Sequence, residues 1–198
     1  MTEQNVSLKV AKDLYLVQLV WTFAFLGIIF IVNVVKIIYA YFKLEHTEGF
    51  FNTSFIASNF YMFIIGLIAI HFLTYFVGNG VTRKDYFIGN TFASIGLAMT
   101  IAITTSLIFI VEKFILKLID LPYKVQTINE LDLDGNILGD AIQMIIVSPY
   151  VNPNENILLA TSVLFINTLI LYILGWMISA TFYHYGTVNG IVAILISV

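Results

Sequence analysis

Three charged residues between two long uncharged stretches are the first candidates for chemistry in this sequence. Residues 49–82 and 86–111 contain no Asp, Glu, Lys or Arg, and Arg83, Lys84 and Asp85 lie between them. Exposed side chains of these types form charge-assisted hydrogen bonds with a partner protein. A short cytoplasmic loop is also rich in Lys and Arg because these cations orient the neighbouring helices in the membrane. The three residues therefore indicate either a surface that docks a partner protein or charges that only fix the orientation of the helices in the membrane.

The neighbours of these charges predict the local structure of the connection. Gly78 and Gly80 permit a sharp break after the preceding helix, because glycine adopts backbone conformations closed to other residues. Thr82 is expected to cap a short helix, and the rings of Tyr86 and Phe87 are expected to wedge at the membrane surface. The candidate docking turn consists of Gly80, Thr82, Arg83, Lys84, Asp85, Tyr86 and Phe87.

The other residues whose side chains could act in catalysis or bind a metal form no catalytic or metal-binding pattern. His71 lies in an apolar run that contains no acid, so we expect a hydrogen-bonded packing histidine rather than a proton relay. Residues 132–140 have alternating acids like a calcium loop but lack its closing glutamate, so a plain turn at Asp134-Gly135 is favoured. The sequence has no cysteine and no phosphate-loop, G-x-S-x-G or H-E-x-x-H motif. We therefore predict that this chain is not an enzyme and holds no metal or cofactor.

The composition is that of a membrane protein. Hydrophobic residues make up 60% of the 198 residues and charged residues only 11%, and the mean hydropathy is +0.94. Soluble domains average about 25% charged residues. The net charge of −3 and the lack of basic tracts do not provide the clustered cations that nucleic-acid binding needs. We expect membrane lipid as a partner and no nucleic acid.

Four apolar segments are long enough to cross a bilayer as helices, which takes about 20 residues. They are residues 14–35, 56–77, 88–111 and 157–183. The first is longer than the apolar core of a cleaved signal peptide, so we predict a retained span. Residues 187–198 are too few to cross, and we expect an incomplete fifth span rather than a re-entrant end. The predicted fold is an all-α polytopic transmembrane helical bundle that forms one domain over residues 1–198.

The connection between the third and fourth spans, residues 112–156, is predicted to form an extracellular cap. It opens as an amphipathic helix that lies at the outer interface or packs against the spans and ends before Pro122. Its apolar face comprises Val111, Phe114, Ile115, Leu118 and Ile119, and its polar face comprises Glu112, Lys113, Lys117 and Asp120. The cap is acidic, whereas the N-terminus and the candidate docking turn carry dense Lys and Arg near membrane ends. We therefore place the N-terminus and this turn in the cytoplasm.

Small residues recur along the third and fourth spans, where they allow another helix backbone to approach closely. They are Gly89, Ala93, Gly96, Thr100 and Thr104 in the third span and Gly175 and Ser179 in the fourth. We expect these residues to pack within the chain, and the alternative is a contact between subunits.

The candidate docking turn resembles a motif of one transporter family. Its sequence, NGVTRKDYFIGN, resembles the Gly-x-[ST]-Arg-x-Asp-[YF]-[FY]-x-Gly stretch between the second and third spans of permease subunits of ABC-2-type transporters. The matching residues are Gly80, Thr82, Arg83, Asp85, Tyr86, Phe87 and Gly89. A second stretch, GWMISATFYHYGTVNG, resembles the turn that closes the fourth or fifth span in small Firmicutes-type members, although His184 stands where arginine is usual.

The resemblance implies that this chain is the permease subunit of an ATP-driven exporter in the bacterial cell membrane, with six spans in the full-length protein. It implies that the candidate docking turn binds a separate ABC ATPase subunit, which holds ATP and Mg²⁺. A second permease subunit, identical or a sister, would complete the translocation path. The scarcity of charge in the spans favours an amphipathic or hydrophobic cargo, such as a peptide, a lipid or an antimicrobial.

Two other functions are compatible with the sequence. One is a membrane immunity or sensor protein that binds a peptide at its outer cap without transport. The other is a secondary transporter, which is weaker because the spans show no mirrored breaks and no paired ionisable residues. An ATPase gene beside this one would favour the exporter, and its absence would favour the immunity or sensor protein.

Overall fold

In the part of the chain that the structure describes, long apolar runs without proline fold into four helices. The computed structural model describes residues 3–43, 47–119, 123–124, 149 and 151–197. Its elements are α1 (Glu3–Lys43), β1 (Thr47–Glu48), α2 (Phe50–Gly78), α3 (Arg83–Leu118), β2 (Tyr123–Lys124) and α4 (Ile157–Ser197). None of the four helices contains a proline, which would break its hydrogen-bond ladder. The two short strands pair in parallel, with Thr47 opposite Tyr123.

Each of the four helices is long and apolar enough to cross a membrane. The candidate spans are Val6–Lys43, Phe50–Gly78, Arg83–Leu118 and Ile157–His184. A helix suits a bilayer because it pairs its backbone N–H and C=O groups internally. Large apolar side chains such as Val20, Phe42 and Leu158 are exposed on the helix surfaces, where lipid rather than water would surround them. The prediction of four helices long and apolar enough to span a membrane is confirmed in the described part of the chain.

The predicted fifth segment begins at a backbone break within α4. Gly186 has φ 75° and ψ 172°, and helical backbone continues on both sides of it to Ser197. The positive φ favours glycine, because other residues meet a steric penalty there. Up to His184 the helix qualifies as a span. A fifth span after Gly186 stays a prediction.

The predicted amphipathic helix after the third span is the end of α3, and its predicted polar face is wrong at Glu112. Residues 111–118 are the last turns of α3, and the predicted apolar face is exposed at Val111, Phe114 and Leu118. Glu112 and Leu116 are buried instead. Lys113 and Lys117 of the predicted polar face are exposed as expected, whereas Glu112 is turned inward, because a helix in lipid keeps apolar side chains outward and can bury a polar one inside the protein.

The chain divides into two compact units, and every helix contributes to both. The first unit comprises Met1–Val20, Phe60–Ala98 and Thr168–Val198, and the second comprises Trp21–Asn59 and Met99–Asn167. The core of the first unit contains Val10, Leu14, Tyr86 and Ala93. The core of the second contains Phe51, Phe55, Ala102, Phe109, Ala160 and Leu164.

Most of the predicted extracellular cap lies outside the described residues. This includes the turn predicted at Asp134-Gly135, the acids of residues 132–140 and Pro122, before which the amphipathic helix was expected to end. The described part ends at the start of α4, where Asn156 is the N-cap. Its Oδ1 accepts a hydrogen bond from the Leu159 backbone N–H at 3.0 Å, which satisfies an otherwise unpaired donor of the first turn.

Candidate functional site

The candidate docking turn follows the C-terminus of α2, which is closed by hydrogen bonds. The backbone N–H of Val81 donates to the Phe76 carbonyl at 3.0 Å, and that of Gly80 donates to the Val77 carbonyl at 3.1 Å. Gly80 has φ 84°, so this is the glycine-dependent Schellman ending of a helix. The Asn79 side-chain amide donates to the Tyr75 carbonyl at 2.7 Å and satisfies one more terminal acceptor. The sharp break predicted at Gly80 is confirmed.

The start of α3 is capped by Thr82, as the sequence predicts. The Asp85 backbone N–H donates to Thr82 Oγ1 at 3.1 Å, and that hydroxyl donates to Asp85 Oδ2 at 2.7 Å. The first helical bond runs from the Tyr86 N–H to the Thr82 carbonyl at 3.0 Å. The expected short helix is wrong in one respect, because Arg83 begins the 36-residue α3 itself.

Both carboxylate oxygens of Asp85 accept hydrogen bonds from within the chain. Its Oδ1 accepts a hydrogen bond from the Ser7 hydroxyl of α1 at 2.6 Å, while Oδ2 is occupied by Thr82. Ser7 is buried and Asp85 is half-buried. This carboxylate therefore joins the N-terminal part of α1 to the first turn of α3, and a role of Asp85 in docking stays a prediction.

Tyr86 and Phe87 differ in their surroundings, and the expectation that both lie at the membrane surface is wrong for Tyr86. Tyr86 is only 2% exposed, its hydroxyl donates to the Ala69 carbonyl, and its ring lies 5.9 Å from that of Phe76. A buried tyrosine needs such a partner for its hydroxyl. Phe87 is exposed, and its ring centroid lies 4.9 Å from that of Trp176 in α4.

Arg83 and Lys84 are the exposed charges of the turn. They occupy the first two positions of α3, where the helix dipole is positive and a cation is unfavourable. Their charges therefore do not stabilise the helix, and Asp85, the acid in the same turn, offsets them. The arrangement leaves two cations available at a turn whose backbone is fixed by its hydrogen bonds.

The turn also forms part of the wall of a cavity of about 1110 Å³ in the first unit. The other walls come from the N-terminal part of α1 and the C-terminal part of α2. Its ionisable and polar lining includes Lys9, Asp13, His71 and Tyr75, and the turn contributes Asn79, Gly80 and Val81. His71 is exposed to this cavity rather than buried, so the expected packing histidine is wrong. Sequence reasoning sought an acid only in its own span, whereas Asp13 reaches the same cavity from α1.

The small residues of α3 make close contacts within the chain. A methyl group at Gly89 would lie 2.7 Å from Val10 Cγ1, and one at Gly96 would lie 3.1 Å from the Tyr15 ring. Ala93 is buried, and Thr100 and Thr104 are half-buried. These contacts correspond to the expectation of packing within the chain.

Gly175 of α4 packs against a glycine that sequence reasoning missed. A methyl group at Gly175 would overlap the Phe63 carbonyl oxygen, and one at Gly66 would overlap the Tyr172 carbonyl oxygen. The two glycines thus let the α2 and α4 backbones touch. Ser179 donates to the Trp176 carbonyl of its own helix at 3.1 Å. The sequence feature that could have indicated this contact is Gly66, a single glycine among bulky residues in the second predicted span.

A polar interior is the second feature that sequence reasoning missed. In the second unit, hydroxyl groups join helices through Ser54 and Thr105 at 2.7 Å and through Ser106 and Thr161 at 2.6 Å. In the first unit, the Tyr172 hydroxyl donates to Asn90 Oδ1 at 2.7 Å. The recurrence of Ser and Asn in residues 52–59 was the available signal.

Within the described part of the chain, no group of three or more His, Asp or Glu residues is arranged to hold a metal ion. Comparison with protein-family models, with curated proteins and with solved structures gives no match for this chain.

Proposed function

We propose that this membrane protein is the permease subunit of an ATP-driven ABC exporter and that the candidate docking turn binds a separate ATPase subunit. In this proposal the N-terminus and the turn face the cytoplasm of a bacterial cell. The observation that carries the proposal is that the exposed cations of the turn lie next to a cavity. The candidate docking turn exposes Arg83 and Lys84, and its Gly80, together with the adjacent Val81, forms part of the wall of the 1110 Å³ cavity.

The hydrogen bonds around the turn supply a route for movement. A force on Arg83 and Lys84 acts on the first turn of α3, which Asp85 joins to Ser7 of α1 at 2.6 Å. The Schellman ending joins the same turn to α2 through Phe76 and Val77. Residues of α1 and of α2 line the cavity. ATP-driven closure of a bound ATPase pair would therefore change the cavity shape by rigid displacement of its walls.

The cavity suits a cargo with both apolar and polar parts. Binding sites for small molecules commonly occupy about 300–1,000 Å³, so a volume of about 1110 Å³ accommodates one amphipathic molecule. Apolar residues such as Leu14 and Phe72 line it together with Lys9, Asp13 and His71. A peptide, a lipid or a hydrophobic antimicrobial fits this description, and a second permease subunit would complete the path.

The test is a search for an ABC ATPase gene beside this one and, with that ATPase, coupled ATP hydrolysis in proteoliposomes that contain both proteins. Replacing Arg83 and Lys84 together by Glu should lower both ATPase binding and ATP hydrolysis at least ten-fold, because two charge-assisted contacts become repulsive. The matched control reverses Lys113 and Lys117, which are exposed near the other end of α3, and should leave both quantities unchanged. Failure of any ATPase to bind, or full activity in the Arg83 and Lys84 variant, contradicts the proposal. Peptide binding without an ATPase would favour the immunity or sensor function.

A further inference from the structure

A second cavity, in the second unit, has a composition unlike that of the first. It is a groove of about 500 Å³ between α1 and α3. Its walls are aliphatic at Val34, Ile38, Leu107 and Val111, and its polar lining residues are Asn33 and Glu112. A carboxyl group in an otherwise apolar groove of a membrane protein marks a functional site, because a buried charge is costly unless something compensates it.

Glu112 acts as a hydrogen-bond acceptor at both oxygens. Its side chain is only 6% exposed. Oε1 accepts from the Asn33 side-chain amide at 2.6 Å, and Oε2 accepts from the backbone N–H of Phe50 at 2.7 Å. Phe50 is the first residue of α2, so the carboxylate also faces the positive end of a helix. These two donors orient the carboxylate but carry no full positive charge.

Asn33 provides a second, independent observation. The residue is 2% exposed, and its Nδ2 is committed to Glu112. Its Oδ1 is buried and accepts no hydrogen bond from any residue that the structure describes. A buried carbonyl oxygen without a donor is unfavourable and uncommon in folded proteins. At the wall of the groove, the Glu112 carboxylate thus lacks a positively charged partner, and the buried Asn33 oxygen beside it lacks a donor.

We infer that this groove binds an amphiphile with a primary ammonium head and an alkyl tail. An ammonium group supplies three N–H donors and the positive charge that Glu112 lacks, and the aliphatic walls accept the tail. A phosphate or sulfate head would be repelled by the carboxylate. A quaternary ammonium has the charge but no N–H donor, and an alcohol has one donor but no charge. The site uses none of the residues of the candidate docking turn, so it stands whether or not the chain is a permease.

The position of Glu112 along α3 suits such a ligand. It lies six residues before Leu118, the last residue of the helix, which corresponds to about 9 Å of helix. Asn33 lies ten residues before the end of α1 at Lys43. A head group held there sits near one end of the helices, and its tail extends along them.

The experiment is photolabelling of the full chain in phosphatidylcholine nanodiscs, because the head group of this lipid has no N–H donor. The probe is dodecylamine with a diazirine in its tail, and the labelled peptides are mapped by mass spectrometry. Labels are expected on the groove segments of α1 and α3. Unlabelled dodecylamine should compete at least ten-fold better than dodecyltrimethylammonium, dodecanol or dodecyl sulfate. Equal competition by dodecanol or by dodecyltrimethylammonium overturns the proposal.

Two variants separate binding from folding. Glu112→Gln keeps the size of the side chain but removes its charge, and labelling should fall at least ten-fold. Because Glu112 also pairs with the first residue of α2, a second variant, Val34→Trp, fills the groove and leaves the carboxylate in place. It should reduce labelling to a similar extent. Lys113→Gln, which removes an exposed charge beside Glu112, is the control and should label like the unmodified chain. Normal labelling in a helical, monodisperse Glu112→Gln protein, or in Val34→Trp, contradicts the proposal.

Discussion

The Ser7 hydroxyl donates a 2.6 Å hydrogen bond to Oδ1 of Asp85, which lies 78 positions later in the sequence. The second carboxylate oxygen accepts a hydrogen bond from the Thr82 hydroxyl at 2.7 Å. One carboxylate therefore holds the N-terminal part of α1 against the cap of α3. Gly89, one turn further along α3, packs against Ser7 and Val10 of the same segment. The start of α1 is thus an integral part of the first unit.

Replacing Ser7 by Ala should lower the thermal unfolding temperature in detergent, because Asp85 loses its donor on α1. The matched control is Ser162→Ala, whose hydroxyl donates only to the Leu158 carbonyl one turn earlier in α4. Circular dichroism at 222 nm during heating compares the two variants. If the Ser7→Ala and Ser162→Ala variants unfolded at the same temperature, the hydrogen bond between α1 and Asp85 would contribute nothing to stability.

Replacing Gly80 by Ala should destabilise the protein by about 1–2 kcal/mol, since an L-residue at positive φ carries this steric cost. Gly80 has φ 84° and open space around its Cα, so the expected effect comes from the backbone alone. Gly27→Ala, in the interior of α1 and also in open space, is the control. It should be neutral or stabilising by about 0.5–1 kcal/mol. Equilibrium unfolding in mixed micelles measures both, and equal effects would argue against the Schellman ending.

Replacing Gly66 by Ala should destabilise the protein by about 1–3 kcal/mol, because the added methyl group would force the α2 and α4 backbones apart. Gly175→Ala should have a similar effect, since its methyl group meets the Phe63 carbonyl oxygen. The double variant should cost less than the sum of the two, because the first substitution already separates the helices. Gly27→Ala again serves as the control in the same unfolding assay. Additive losses would mean that the glycines do not share one contact.

The Ser54 and Thr105 hydroxyls should show a measurable coupling free energy. Both side chains are fully buried, and their oxygens lie 2.7 Å apart. Interhelical hydrogen bonds in membranes contribute about 0.6 kcal/mol on average, with a maximum of about 1.7 kcal/mol. A double-mutant cycle of Ser54→Ala and Thr105→Val, measured by unfolding in mixed micelles, should give a value in this range. A coupling of zero would remove this pair from the stabilising contacts.

The proposed orientation predicts which residues a membrane-impermeant maleimide reaches from outside intact cells. The chain has no cysteine, so Lys84→Cys and Asn154→Cys each introduce a single thiol at an exposed position. Asn154→Cys should react in intact cells, and Lys84→Cys only after permeabilisation. The unmodified chain is the control and should take no label. The reverse pattern would place the candidate docking turn outside the cell and would contradict ATPase binding there.

Local features could be predicted from the sequence because each depends on a few adjacent residues. The break at Gly80 and the cap at Thr82 follow from backbone sterics and from the unpaired N–H groups of a helix start. The burial of Tyr86 and the exposure of His71 were predicted incorrectly, and the hydrogen bond between Ser7 and Asp85 was not predicted. Tyr86 and Asp85 are hydrogen-bonded to residues of other helices, Ala69 and Ser7, respectively, and His71 lines a cavity whose walls include α1.

The sequence by itself determined the four helices able to cross a membrane in the described part of the chain, because their length and lack of charge depend only on the local sequence. The tertiary structure alone decided which face of each helix is inside. In lipid the outer surface is as apolar as the interior, so hydropathy does not distinguish Phe114, which is exposed, from Leu116, which is buried. For the same reason only the folded chain placed Glu112 inside, where Asn33 and the start of α2 hold its carboxylate.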